Sequence, residues 1–148
     1  MKKLLILILL VIIPIGIKCQ PATTSDYYLT INGKNVKVEL AESEEERAQG
    51  LKYRNSLPAD TGMLFIYPDE MSLSFWMKDT QLPLSIAFIK SNGSILDIKD
   101  MQPFSLDIIN SSAPVQYALE MTQGWFQQNQ IKVSDVVIFS PGLKNYIK

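Results

Sequence analysis

Lys78, Asp79 and Thr80 supply a cation, a carboxylate and a hydroxyl in three consecutive positions, directly after the apolar run Phe75-Trp76-Met77 and before the turn Gln81-Leu82-Pro83-Leu84. Aromatic and β-branched residues suit a pleated, half-buried surface. A strand of that kind ending in three different polar groups marks the place where a buried sheet reaches its rim. Sheet mouths are favoured pocket positions, and loops held by a rigid scaffold carry function. The rim is therefore read as a ligand site. The competing reading is a core strand ending in a solvated turn, with a local Lys78–Asp79 pair worth about 0–1 kcal/mol. Strand alternation buries Phe75 and Met77 and turns Trp76 and Lys78 to the opposite face.

Arg54 and Glu120 are the other polar residues set in otherwise apolar segments. In Tyr117-Ala118-Leu119-Glu120-Met121, alternation puts Tyr117 and Leu119 on one face and Ala118 and Glu120 on the other. An isolated buried charge is very costly, so Glu120 is expected to pair with Arg54 or Lys78. Such a pair can also be purely architectural.

Three kinds of function use these groups. As a binding module, Trp76, Tyr53 and Phe75 would form apolar walls while Arg54 and Lys78 grip an anion, with Asp79, Thr80 and Glu120 beside them. The ligand would be a small molecule or an envelope polymer, and this is the favoured reading. As a hydrolase, Asp79 and Glu120 would serve as acid and base in a two-carboxylate arrangement, although nothing in the spacing fixes their separation. A Thr80 nucleophile is weaker, because its only sequence-adjacent base, Lys78, does not point the same way from a strand. No catalytic residue is assigned. As an envelope assembly protein, the chain would make its contact through the long loop 102–114.

The sequence has no histidine, which removes His-based triads, His metal sites and the usual general base at neutral pH. With a single cysteine, structural zinc is also removed. No metal and no cofactor are expected.

Lys2 and Lys3 precede an apolar run over residues 4–17, interrupted only by Pro14 and Gly16. That run is shorter than the roughly 20 residues a membrane-spanning helix needs. A charged start and a short apolar centre read as an export signal over residues 1–18, with an uncleaved anchor as the alternative. Cys19 follows at once, in the place where a bacterial lipoprotein carries its lipid, although Gly16 and Lys18 depart from the usual flanking pattern. The expectation is an exported protein of the periplasm or cell envelope, tethered through residues 19–26. Losing Lys2, Lys3 and Lys18 leaves eleven basic side chains against fifteen acidic ones, a net charge of −4. An acidic domain argues against nucleic acid as a partner, because phosphate neutralisation dominates that affinity.

Residues 27–148 read as one mainly β domain: compact, antiparallel and barrel-like or sandwich-like, with one or two short helices. Asn32-Gly33 and Asn92-Gly93 mark hairpin turns. Alternation at Val36, Val38 and Leu40 marks a half-buried strand. Residues 62–67 are apolar on both faces, and further strands are expected over 27–31, 73–77, 84–89, 94–98, 115–121 and 131–139. Ser43-Glu44-Glu45-Glu46 is a capping box opening a helix over 44–49 that Gly50 stops. Ala41, Ala48 and Leu51 are expected on its inward side, and Trp125 and Phe126 as barrel plugs.

Gly50-Leu51-x-x-Arg54, Gly62-Met63-Leu64-Phe65, Phe75-Trp76-Met77-Lys78-Asp79-Thr80, Pro83-Leu84 and Tyr117-x-Leu119-Glu120 together resemble the DUF192 family. The resemblance runs from Val38 to about Val137. It implies a compact, mostly β fold and brings no activity, cofactor or catalytic residue with it. The family commonly has Asn in place of Asp79, an acid in place of Ser85, Met in place of Lys52 and Gly in place of Ser134. A reaction that required a carboxylate at position 85 would be missing from this chain.

Overall fold

The computed structural model describes residues 27–143. The expected export signal, Cys19 and the tether lie outside the described residues. The chain forms β1 (Tyr27–Ile31), β2 (Lys34–Ala41), α1 (Glu44–Gln49), β3 (Thr61–Met71), β4 (Ser74–Phe75), β5 (Leu84–Ile89), β6 (Ile95–Met101), β7 (Ile109–Asn110), β8 (Val115–Thr122), α2 (Trp125–Gln128) and β9 (Val137–Phe139).

Seven strands make one curled sheet in the order β6-β5-β8-β3-β2-β1-β9. Backbone bonds then join its two ends: Ile95 N–H donates to Asp135 O at 2.9 Å, and Val137 N–H to Gly93 O at 2.8 Å. The result is the mainly β, barrel-like fold expected from the sequence. One pair runs against the antiparallel pattern, since β2 and β3 are parallel. Residues 42–60, with α1 among them, carry the chain back across, and a parallel pair needs a crossover of about that length.

Apolar residues on both faces of the central strands give the sheet two cores. Leu29, Ile31, Val36, Leu64, Tyr117, Leu119, Trp125 and Phe126 fill the inside of the curl. Phe65, Phe75, Met77, Leu84, Phe88 and Ala118 form a second core on the outer face of β3, β5 and β8. That outer core is covered by the small β4–β7 sheet. Phe75 meets Phe65 edge-on at 5.0 Å and Phe88 at 5.8 Å, a geometry worth about 1 kcal/mol per pair beyond area burial. Burial alternates as read from the sequence, with Phe75 and Met77 covered and Trp76 and Lys78 exposed.

Three expected elements come out shorter or differently used. The strand at 73–77 is paired only at Ser74–Phe75, because Asp79 at φ +59° turns the chain and Thr80 N–H closes that turn on Met77 O at 3.0 Å. Loop 102–114 is not free: Phe104 N–H donates to Thr80 O at 2.9 Å, Met77 N–H to Ser105 O at 3.0 Å and Ser111 N–H to Leu73 O at 2.9 Å. The strand expected over 131–139 shrinks to Val137–Phe139, since Ser134 takes φ +75° in the turn before it.

Gly62 on β3 lies opposite Met121 of β8, where a Cβ would meet the Met121 sulfur and the Glu120 carbonyl oxygen. Only a residue without a side chain lets the two central strands approach this closely. Gly62→Ala is expected to destabilise the domain by about 2 kcal/mol, the scale of overpacking a filled core, as read from the urea midpoint. An unchanged midpoint would show that the two strands separate without cost.

Candidate functional site

A cleft of about 500 Å³ opens on the outer face of the sheet, between α1 and the segment around β4. Its α1 wall begins with the capping box. Ser43 Oγ accepts from Glu46 N–H at 3.1 Å, and the Glu46 carboxylate accepts from the Ser43 and Glu42 amides at 2.9 and 3.0 Å. Those bonds hold the Glu46 carboxyl below its usual range, so the acidic cluster of α1 is largely explained by helix-start chemistry. No residue of α1 is buried. Ala41 and Leu51 are covered as expected, but Ala48 is exposed. The helix stands off the sheet and walls an open space, so the side expected to be packed inward lines the cleft instead.

Arg47 extends from α1 across this gap. Its guanidinium donates to the carbonyls of Glu42 and, at 3.0 Å, Ile66, and lies 4.6 Å from the centre of the Tyr67 ring. Two backbone acceptors and an aromatic face fix its position. Trp76 forms the outer rim, with its ring flanked by Lys78 Nζ at 5.4 Å and Lys52 Nζ at 6.0 Å. The back of the cleft is Phe65 and Phe75, whose edge-on contact joins it to the outer core.

Glu120 lies at the bottom. Its strand, β8, is central, and its register neighbours are Met63 on β3 and Ile86 on β5. The side chain is 5% exposed, and among the described residues no hydrogen bond or ion pair reaches its carboxylate. Burial alone pushes its pKa up to about 8, the expected response of a carboxyl removed from water without a cation to compensate it. Tyr67 nearby is also raised, first by burial, with Arg47 opposing and the Glu120 charge adding to the effect.

The site residues read from the sequence divide into two groups. Trp76, Thr80 and Glu120 line this cleft, and Lys78 flanks it beside Trp76. Thr80 is buried, with its hydroxyl donating to Lys78 O at 3.3 Å. Arg54 lies elsewhere: it makes a two-pronged pair with Glu39 at 2.6 and 2.5 Å, beside a separate shallow depression. The expected Glu120–Arg54 pair is not formed, because strand β2 supplies Arg54 with an acid of its own. Lys78 sits over Trp76 and makes no ion pair with Glu120 either. Asp79 does not line the cleft. Its left-handed backbone, tolerated by Asp and Asn better than by most residues, accounts for the residue type at that turn. Arg47, Lys52 and Tyr67 were not foreseen. The available signal was Arg47, one helical turn before the Gly50-Leu51 pair.

The DUF192 model, described as an uncharacterized ACR, matches residues 27–139. The chain belongs to the DUF192 family. A crystal structure of a protein from Sinorhizobium meliloti, described as a candidate transcription regulator, superposes with a TM-score of 0.72 at 35% identity, covering 76% of this chain and 91% of that one. A protein of unknown function from Novosphingobium aromaticivorans superposes with a TM-score of 0.73 at 26% identity, covering 80% of this chain and 89% of that one. A search of curated proteins found no match. Within this DUF192 domain, Asp79 and Ser134 have positive φ, where Asn and Gly respectively fit with less strain. Ser85 is buried, donates to the Asp100 carboxylate at 2.5 Å and accepts from Gly124 N–H at 3.1 Å. Asp100 of β6 thus brings a carboxylate to Ser85.

The raised Glu120 carboxyl makes stability depend on pH. Between about pH 4.5 and pH 8 the unfolded chain gives up this proton and the folded chain keeps it, so Glu120 makes stability fall with rising pH across that window. The whole effect is about 5 kcal/mol at roughly 1.36 kcal/mol per pH unit. Glu120→Gln is expected to remove this part of the slope and to be more stable than the native chain at pH 8, as measured by urea unfolding from pH 4 to 9. Parallel stability profiles for the two proteins would contradict it.

Proposed function

We propose that this DUF192 protein is an exported, non-catalytic binding module that holds a small molecule, or the end of an envelope polymer, in the cleft between Trp76 and Glu120. The observation that carries the reading is the Glu120 carboxyl: buried, unpartnered and facing an open cavity with aromatic walls. A core position on a central strand would be filled more stably by an apolar side chain. A polar group retained there, at the bottom of a space of ligand size, is accounted for by a ligand that meets it. Arg47, Lys52 and Lys78 add charge near the mouth, and Trp76 adds a face for stacking. The export signal and Cys19 would keep this cleft on the outside of the cell.

The hydrolase alternative took Asp79 and Glu120 as its acid and base, and Asp79 does not line the cleft with Glu120. The Sinorhizobium protein is described as a candidate transcription regulator; regulation by direct DNA binding is not favoured for this chain, which has a net charge of −1 and a pI near 5.4.

The test is thermal unfolding against a library of metabolites and cell-envelope saccharides. A true ligand at a hundredfold excess over its Kd is expected to add about 2.7 kcal/mol of stability, roughly 10 °C for a domain of this size. Trp76→Ala and Glu120→Gln should each weaken that ligand at least tenfold, and Arg54→Ala should leave it unchanged. Stabilisation that survives in Glu120→Gln, or follows Arg54 instead, would place the binding site elsewhere.

A further inference from the structure

Charge is unevenly distributed along this cleft. At the bottom, Glu120 has neither a hydrogen bond nor an ion pair among the described residues, and its only perturbation is burial. Arg47 and Lys52 on the α1 side also line the cleft, the Lys52 ammonium donating to Ala48 O at 2.7 Å, and Lys78 stands beside Trp76. Arg47 does not serve as the counter-ion for Glu120. Its guanidinium is held over Tyr67 and on the Glu42 and Ile66 carbonyls. The other titratable groups around the cleft are Glu44 on α1 and Tyr67 on β3, while β5 offers only Ile86 against Glu120.

We infer that the ligand is a zwitterion of the amino-acid type, its ammonium group inserted against Glu120 and its carboxylate left at the Arg47–Lys52 side. This rests on the cleft being the binding site. Two features of the cleft support the ammonium end and one supports the carboxylate end. An ammonium group supplies the one interaction the buried carboxyl lacks, a charge-assisted hydrogen bond in a setting from which water is largely removed. The rings of Phe65 and Phe75 at the back of the cleft favour a cation over an anion at depth. The basic side disfavours a simple amine and suits a ligand whose other end is anionic.

Binding then carries a proton balance. The neutral Glu120 carboxyl gives its proton to solvent, and the carboxylate that remains pairs with the incoming ammonium. Up to one proton is released per ligand below pH 8, and affinity should rise up to tenfold per pH unit from pH 6 towards pH 8. A ligand carboxylate inserted against a protonated Glu120 would give the opposite slope.

The experiment is calorimetry with 6-aminohexanoate, the common α-amino acids, hexylamine and hexanoate, in two buffers of different ionisation enthalpy at pH 6.5. At least one zwitterion is expected to bind ten or more times tighter than hexylamine and hexanoate, releasing close to one proton. Glu120→Gln should abolish the proton release and the preference for the amine, and Lys52→Met should reduce only the preference for the carboxylate. Circular dichroism of both variants confirms that they fold. Hexanoate binding as tightly as the zwitterions, or affinity that falls from pH 6 to 8, would overturn the assignment. If none of these probes binds while another library compound binds in a Glu120-dependent way, the zwitterion is wrong and the cleft remains the site. If no compound of either set binds, both readings fail together.

Discussion

The constraint on which the rest of this structure depends is a carboxyl group placed in the middle of a sheet with no counter-ion among the described residues. Glu120 sits on β8, between β3 and β5, where the buried residues of both sheet faces are mostly apolar and the other buried polar side chains, Ser85 and Gln116, have hydrogen-bond partners. Water reaches it only through the cleft, and no cation among the described residues pairs with it. The folded protein therefore keeps it protonated well beyond the usual carboxylate range. Its neighbours fit this condition: Phe65 and Phe75 close the back of the cleft, Tyr67 carries Arg47 away from the acid, and Thr80 satisfies its hydroxyl on its own turn.

The scaffold keeps this group accessible without letting water surround it. A helix of six residues packed against the sheet would have filled the space, yet α1 buries no side chain and is held by its capping box and by Arg47. On the other side, loop 102–114 is joined by backbone bonds to residues 73–80, which steadies the segment bearing Trp76. Beneath the cleft, the close approach of β3 and β8 at Gly62 sets the height of the Glu120 backbone. The opening is thus bounded by rigid elements on each side, as a pre-formed site requires.

Much of this could be read from the residues alone. Period-two alternation placed Phe75 and Met77 inside and Trp76 outside, and Ser43 to Gly50 specified α1 at both ends, because those signals are local. The parallel β2–β3 pair could not be read, since strand direction in the sheet is decided by the crossover and not by either strand. The partner of Arg54 is hidden from the sequence for a related reason. Glu39 is fifteen residues away along the chain, and only the fold brings the two side chains together. Little in the sequence singles out Arg47, because a basic residue late in a helix already has an explanation in the helix dipole, and its reach over Tyr67 is a tertiary fact.

Carbon-13 labelling of glutamate side chains, with the Glu120 carboxyl resonance assigned by its loss in a variant and followed from pH 4 to pH 10, measures the claim most directly. The account predicts a midpoint near 8, with the resonance still that of a neutral acid at pH 6. A midpoint near 4.5, shared with the surface glutamates, would mean that Glu120 is solvated or paired, and the cleft would lose the feature that makes it a site.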